Sequence, residues 1–330
     1  MASVQPLVRQ LFSGDPRALA RSISLVEEES TQGRAILKAI YPRTGRALVL
    51  GITGPPGAGK SSLVSRMVGG WRKRGEKVGI IAVDPSSAFS GGAILGDRIR
   101  MQEHCLDPGV FIRSMATRGH FGGVSRACRD VVDLLDAGGY RVIFIETVGV
   151  GQDEVEVVQI ADLVLVVLPP GLGDDIQTIK AGILEIADLF VINKADREGA
   201  DRLASELSAM LALSPDHGMA KSPILKTVAT TGQGIPELMQ AVDQGRRQKG
   251  RTASREEREK ERSRERFLEL FREGLYRRAR EACLARDEVE AIAEDLATRR
   301  RDPYSAAEEV LGRVRFAEPR RRVPSNGRRR

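Results

Sequence analysis

Short apolar runs alternate with longer amphipathic stretches between about residue 46 and about residue 248. The strand-like runs fall at residues 48–53, 78–83, 110–113, 141–147, 163–168, 189–193 and 224–228. Several, such as Val164-Leu165-Val166-Val167-Leu168, are apolar at every position, which is expected where helices cover both faces of a parallel sheet. The pattern therefore predicts a doubly wound, mostly parallel α/β domain. Ahead of it, Asp15-Pro16 reads as a helix start, an acidic N-cap followed by proline, and Leu19, Ile23 and Val26 recur at helical spacing. Beyond Gln248 strand-like runs become scarce, while Arg, Glu and Ala dominate. There Phe267, Leu268, Leu270, Phe271 and Leu275 share one helical stripe, followed by Cys283, Leu284, Val289, Ile292 and Leu296. That stripe suits a dimer interface, a partner helix, or packing onto the chain's own α/β domain. The expected organisation is a helical arm at 1–45, the α/β domain at 46–248, a helical extension at 249–316 and a disordered basic tail at 317–330.

Composition removes several alternatives. With 41% hydrophobic and 29% charged residues the chain has the make-up of a soluble globular protein, and no apolar run approaches the ~18 residues needed to span a bilayer. The segment Met1 to Gln10 lacks the basic-then-apolar form of a secretory signal, so a cytoplasmic protein is expected. Cys105, Cys128 and Cys283 are far apart and odd in number, which argues for reduced thiols. The formal net charge of +7 raises the question of nucleic acid. Much of that charge, however, sits in the C-terminal third, interleaved with acids as in Arg255-Glu256-Glu257-Arg258-Glu259-Lys260, the pattern of a solvated helix.

Candidate chemistry begins directly after the first strand-like run. Gly54-Pro55-Pro56-Gly57-Ala58-Gly59-Lys60-Ser61 fits G-x-x-x-x-G-K-[ST], and Ser62 continues it into the next helix. Its glycines let the backbone bend around a polyphosphate with N–H groups pointing inward, and the following helix adds the positive end of its dipole. Lys60 is expected to neutralise the β- and γ-phosphates, and Ser61 to ligate Mg²⁺. At the end of the run 141–147, Glu146 is placed to face the metal, while Gly149 offers its N–H to the γ-phosphate. Asp84, after the run 78–83, and Asp97, in a Gly-rich loop, are candidate acids of the Mg²⁺ shell; turn or capping roles fit either of them equally. Asn193-Lys194-Ala195-Asp196 closes another strand-like run, where a nucleotide base belongs in an open α/β sheet. A carboxylate at Asp196 can accept from the ring N–H and the exocyclic amine of guanine, a donor pair adenine lacks. Val228-Ala229-Thr230 is then the loop expected to close over the base. GTP or GDP with Mg²⁺ is the ligand implied.

Taken in order, these motifs resemble the MeaB/ArgK/MMAA-type GTPases, G-proteins that serve adenosylcobalamin-dependent acyl-CoA mutases. Similarity extends to Ala82-Val83-Asp84-Pro85-Ser86-Ser87, Gly91-Gly92-Ala93-Ile94-Leu95-Gly96-Asp97-Arg98 and Glu146-Thr147-Val148-Gly149-Val150-Gly151-Gln152. The stretch Gly173-Asp174-Asp175-Ile176-Gln177-Thr178-Ile179-Lys180 resembles a mobile segment through which the family couples GTPase to mutase. One departure is Val228, where the family tends to carry Ser; only a side-chain contribution is put in doubt. The resemblance implies a SIMIBI-type P-loop fold and a homodimer held by C-terminal helices. It further implies that GTP and Mg²⁺ gate adenosylcobalamin delivery to a mutase, which the protein protects or reactivates. Gln152, Asp174, Asp175, Gln177 and Lys180 would be switch residues, and Asp84, Asp97, Glu146 and Lys180 would link nucleotide state to the partner.

Two other classes fit parts of the chain. A nickel-delivering maturation GTPase shares the Glu-x-x-Gly feature but needs soft or imidazole ligands; His104-Cys105 is the only adjacent pair, and with His120 and Cys128 it could in principle make a site, although core or surface roles fit these residues better. A nucleic-acid-binding GTPase would use the Arg-rich tail. Val150 stands where many hydrolytic GTPases place a water-orienting Gln, and an apolar side chain cannot do that work; Gln152 is the nearest substitute. Slow intrinsic hydrolysis, stimulated by a partner, is therefore expected, and steady-state phosphate release from the isolated chain measures it. A high turnover number would overturn the expectation.

Overall fold

The computed structural model describes residues 4–84, 102–116, 123–147, 160–171, 187–213, 222–251 and 254–314. Of the expected site positions, Asp97, Gly149, Gln152, Asp174, Asp175, Gln177 and Lys180 lie outside the described residues, as do Val150, His120 and the Arg-rich tail. The chain forms two compact units, Met1–Gly250 and Arg251–Arg330.

In the first unit, helices α1 (Gln5–Phe12), α2 (Pro16–Glu27) and α3 (Thr31–Ile40) precede strand β1 (Leu48–Thr53) and helix α4 (Lys60–Lys73). There follow β2 (Val78–Asp84), β3 (Val110–Ala116), α5 (Gly123–Ala137), β4 (Val142–Thr147), β5 (Leu163–Leu168), β6 (Leu189–Asn193), α6 (Ala200–Leu213), β7 (Ile224–Thr227) and α7 (Ile235–Arg251). The strands form one 7-stranded sheet in the order β3-β2-β4-β1-β5-β6-β7, with every neighbouring pair parallel. The doubly wound α/β fold expected from the apolar runs is thus present. β2 and β3 run further than their apolar stretches because they stay in register from Val78 opposite Val110 to Asp84 opposite Ala116. At an edge strand such as β3, the backbone ladder tolerates Arg113 and Ser114 on its outer reach.

Strand periodicity sorts the core into two layers. Leu50, Ile52, Phe144, Leu165, Val167 and Val191 point to the side covered by Leu63, Met67 and Trp71 of α4 and by Leu238 and Val242 of α7. Ile143, Ile145, Val164, Val166, Phe190 and Ile192 point the other way, toward Val131 and Leu135 of α5 and Leu207 of α6. The N-terminal helices belong to that second layer: Leu11, Ile23, Ile36 and Ile40 are fully buried in the same cluster. Only the start of α2 stood out in the sequence, and there Asp15 does cap the helix, accepting from Arg17 N at 2.8 Å. Arg113 of β3 adds an ion pair to Glu27 of α2, whose Oε1 accepts from Arg113 Nε at 3.1 Å.

Two aspartates secure the sheet at the end remote from the Gly-rich loop. Asp162, just before β5, accepts from Val49 N at 2.9 Å and donates its own N–H to Val49 O at 2.8 Å. One strand over, Asp188 repeats the arrangement before β6, accepting from Val164 N at 2.9 Å and donating to Val164 O at 2.9 Å.

The second unit holds α8 (Ser254–Cys283), α9 (Arg286–Ala297) and α10 (Pro303–Gly312). Asp302 caps α10 through Tyr304 N at 3.0 Å and Ser305 N at 2.9 Å, and Arg313 reaches Cys283 O at 3.2 Å and the Glu288 carboxylate. Along α8 the apolar stripe lies open, with Phe267 64% and Phe271 57% exposed and their rings stacked 6.0 Å apart. No helix among the described residues is long and apolar enough to cross a membrane.

Because the N-terminal helices share the main core, Ile23→Ala is expected to lower the stability of the first unit by about 2–5 kcal/mol. Urea unfolding monitored by circular dichroism checks this. An unchanged midpoint would show that the arm contributes nothing to the core.

Candidate functional site

The Gly-rich loop joins β1 to α4, and its bends require glycine. Gly54 has φ 138°, and a Cβ there would stand 2.1 Å from Val167 O of β5. Gly59, at φ 87°, ends the loop as the N-cap of α4 and is packed so that a Cβ would meet Asn193 Nδ2 at 2.4 Å. No side chain caps α4, so the loop faces the positive end of the helix dipole. Lys60, only 6% exposed, turns back over the loop and donates to Gly54 O at 2.7 Å and Pro55 O at 3.1 Å. The loop opens on a cleft of about 660 Å³ lined by Pro56, Gly57, Gly59, Lys60, Ser61, Ser62, Ala82, Val83, Glu146, Thr147 and Lys194. That volume suits a bound small molecule of nucleotide size.

Glu146 and Ser61 meet at this cleft. The Ser61 hydroxyl donates to Glu146 Oε1 at 2.6 Å, and the glutamate is 8% exposed. The two come from the start of α4 and the end of β4, and β4 lies beside β1 in the sheet. Asp84 ends β2, and β2 also pairs with β4, so its backbone stands at the same sheet end; its side chain lies outside the described atoms.

On the other side of β1 the residues expected to hold a base converge on one carboxamide. Asn193, 1% exposed at the end of β6, donates from Nδ2 to Ala58 O at 2.9 Å. Its Oδ1 accepts from Ala229 N at 3.1 Å and from Thr227 Oγ1 at 3.2 Å. Lys194, at φ 61°, lays its stem along the Gly-rich loop and donates to Gly57 O at 2.6 Å. Ala195 N is held by Thr227 O at 3.0 Å, which leaves the Asp196 carboxylate at the surface with no hydrogen-bond partner among the described residues. Val228 opens a tight turn: its N–H pairs with Gln233 O at 3.0 Å and its carbonyl accepts from Gly232 N at 2.9 Å. The structure therefore brings Gly54 to Ser62, Glu146, Asn193 to Asp196, and Val228 to Thr230 to one end of the sheet.

Several contacts made by α4 escaped the sequence reading. Arg66 of α4 donates from Nε to Ala229 O at 2.8 Å and from Nη2 to Thr230 O at 2.7 Å. His104 Nε2 lies 3.0 Å from Ser65 Oγ and 2.9 Å from Ser65 O, and Arg72 forms a two-pronged pair with Asp107 at 2.8 and 2.9 Å. These fasten the chain between β2 and β3 to α4. The Arg72 hydrogen bonds hold the Asp107 carboxyl below its usual pKa, and Asp107 also accepts from Gly109 N. Asp107-Pro108-Gly109 is a turn signal from which the turn, though not its partner Arg72, is legible in the sequence.

Among the described residues, those weighed for nickel do not form a metal site. Cys105 is exposed, while Cys128 is buried in the core, where desolvation pushes its thiol up to about 12. His104 is engaged with Ser65, and no group of three or more His, Cys, Asp or Glu suited to a metal exists among the described residues.

Known proteins agree with the geometry. A protein of Pyrococcus horikoshii named as a candidate GTPase is 49% identical over 95% of this chain and 99% of its own length. The GTPase ArgK of Escherichia coli is 39% identical over 73% of this chain and 75% of its own. The mouse mitochondrial homologue of the methylmalonic aciduria type A protein is 37% identical over 71% of this chain and 61% of its own. Among solved structures, a crystal structure described as an LAO/AO transport system kinase matches with a TM-score of 0.68 at 26% identity, over 94% of this chain and 97% of that one. The family model for the methylmalonyl Co-A mutase-associated GTPase MeaB covers residues 19–283. With a Gly-rich loop of the P-loop pattern, an Asn193-Lys194-Ala195-Asp196 motif at the same end of the sheet and that match over most of its length, the chain belongs to the MeaB family of P-loop GTPases.

Proposed function

We propose that this GTPase is a Mg²⁺-dependent switch that gates adenosylcobalamin loading of an acyl-CoA mutase of the methylmalonyl-CoA type and protects or reactivates that mutase. The association in the family's name and the relationship to the methylmalonic aciduria type A homologue support the mutase as partner. The observation that carries the switch reading is the contact between Ser61 and Glu146, because it joins the phosphate loop directly to the strand that leads into the Gly149–Gln152 stretch.

Ser61 Oγ and a Glu146 carboxylate oxygen, adjacent at the cleft, are hard oxygen donors of the kind Mg²⁺ takes, so the residues present fit that ion. Bound Mg²⁺ would supply positive charge against the negative charge that builds on the phosphates during transfer. Lys60 exchanges its loop carbonyls for phosphate oxygens, and the loop N–H groups with the α4 dipole supply the rest of the anion site. Asp196 reads the guanine N–H pair, while Asn193 keeps the phosphate loop and the Val228–Thr230 turn at fixed separation. Asp84, Asp97, Glu146 and Gly149 would sense the γ-phosphate, and Gln152, Asp174, Asp175, Gln177 and Lys180 would convey its loss to the mutase. The open stripe of Phe267, Phe271 and Leu275 on α8 supports self-association into a homodimer through the C-terminal helices.

Capture of a mutase from cell extract tests the partner. The full chain loaded with a non-hydrolysable GTP analogue, or with GDP, should retain an acyl-CoA mutase identified by mass spectrometry; absence in both states would refute the role. For the base site, Asp196→Asn should weaken GDP binding by at least about tenfold and improve binding of xanthosine diphosphate, because it turns one acceptor into a donor. Calorimetric titration of both nucleotides measures this, and unchanged preference would show that Asp196 does not read the base.

A further inference from the structure

Arg66 sits on α4 one turn after Ser62, so the two share a helix face, and Ser62 lines the nucleotide cleft. Its guanidinium spans two successive carbonyls of the base-closing loop, Nε on Ala229 O and Nη2 on Thr230 O, in a contact between residues 163 and 164 positions apart. A charged donor on a carbonyl gives a stronger bond than a neutral one, and a planar fork fixes direction as well as distance.

The consequence lies in what those bonds leave over. Val228 O is taken by the N–H groups of Thr231 and Gly232, and Ala229 N is taken by Asn193. With the Ala229 and Thr230 carbonyls drawn to Arg66, the Thr230 N–H is the donor in this turn that has no acceptor among the described residues. A peptide plane held by its carbonyl on one side presents its N–H on the other. Guanine differs from adenine along its recognition edge by a carbonyl at position 6 as well as by the donors that Asp196 reads.

We propose that Arg66 is a specificity-positioning residue: by clamping the Ala229 and Thr230 carbonyls to α4 it orients this turn's backbone N–H toward the 6-carbonyl of a guanine nucleotide. It acts through the turn and has no contact of its own with the base. The inference rests on the guanine-nucleotide reading of this cleft. It differs from the Asp196 contact in predicting a second, backbone-borne element of discrimination set by a side chain of the phosphate-loop helix.

Calorimetric titration of the full chain with GDP and with 2-aminopurine riboside 5′-diphosphate, which keeps the exocyclic amine but lacks the 6-carbonyl and with it the ring N–H, tests it through the difference between wild type and Arg66 variants. Wild type should bind GDP more tightly than the analogue. Arg66→Met should lower GDP affinity about tenfold while changing analogue affinity less than about twofold, and Arg66→Lys, which can hold one carbonyl, should recover part of the loss. Equal losses for both nucleotides would mark Arg66 as merely structural and overturn the proposal, as would GDP affinity that does not change. Failure of wild type to prefer GDP over ADP would instead overturn the guanine reading, and the proposal with it.

Discussion

The site depends on one buried carboxamide. Asn193 ties Ala58 of the phosphate loop to Ala229 of the turn after β7, using donor and acceptor at once, and it is packed against Gly59 so closely that no side chain fits between them. These bonds set the distance between the loop and the Val228–Thr230 turn. Its burial at 1% exposure makes the arrangement costly to disturb, because losing either partner would strand a polar group away from water. Lys194, in a backbone conformation that L residues seldom adopt, adds its own bond to Gly57 and so doubles the tie.

How far the sequence revealed this depended on whether the signal was local. Apolar runs such as Val164 to Leu168 announce a strand buried on both faces, and the spacing from Gly54 to Ser61 announces a loop with its own geometry. The strand order was not legible, yet β4 beside β1 is what brings Glu146 to Ser61. Arg66 was invisible for the same reason: an arginine reaching carbonyls more than a hundred and sixty positions away follows no local pattern. The N-terminal helices were only partly visible, since α1 is 8 residues long and its burial comes from packing on other elements.

Charge and exposure in the second unit follow a different logic from those in the first. Arg and Glu pair at helical spacing, as Arg264 does with Glu261, and such exposed pairs contribute little to stability. What distinguishes α8 is the aromatic surface among those charges, stacked at Phe267 and Phe271, a combination that keeps a helix in solution while leaving it adhesive along one line.

The paired aspartates before β5 and β6 have an effect at the opposite end of the sheet. Each grips the neighbouring strand from both sides of a single residue, Val49 or Val164. A slip by one position would move a strand end by ~3.3 Å and turn its apolar side chains to the wrong layer. Asp162 and Asp188 thereby act as alignment pins, levelling the tips of β1, β5 and β6 so that loops far apart in the chain emerge at a common height.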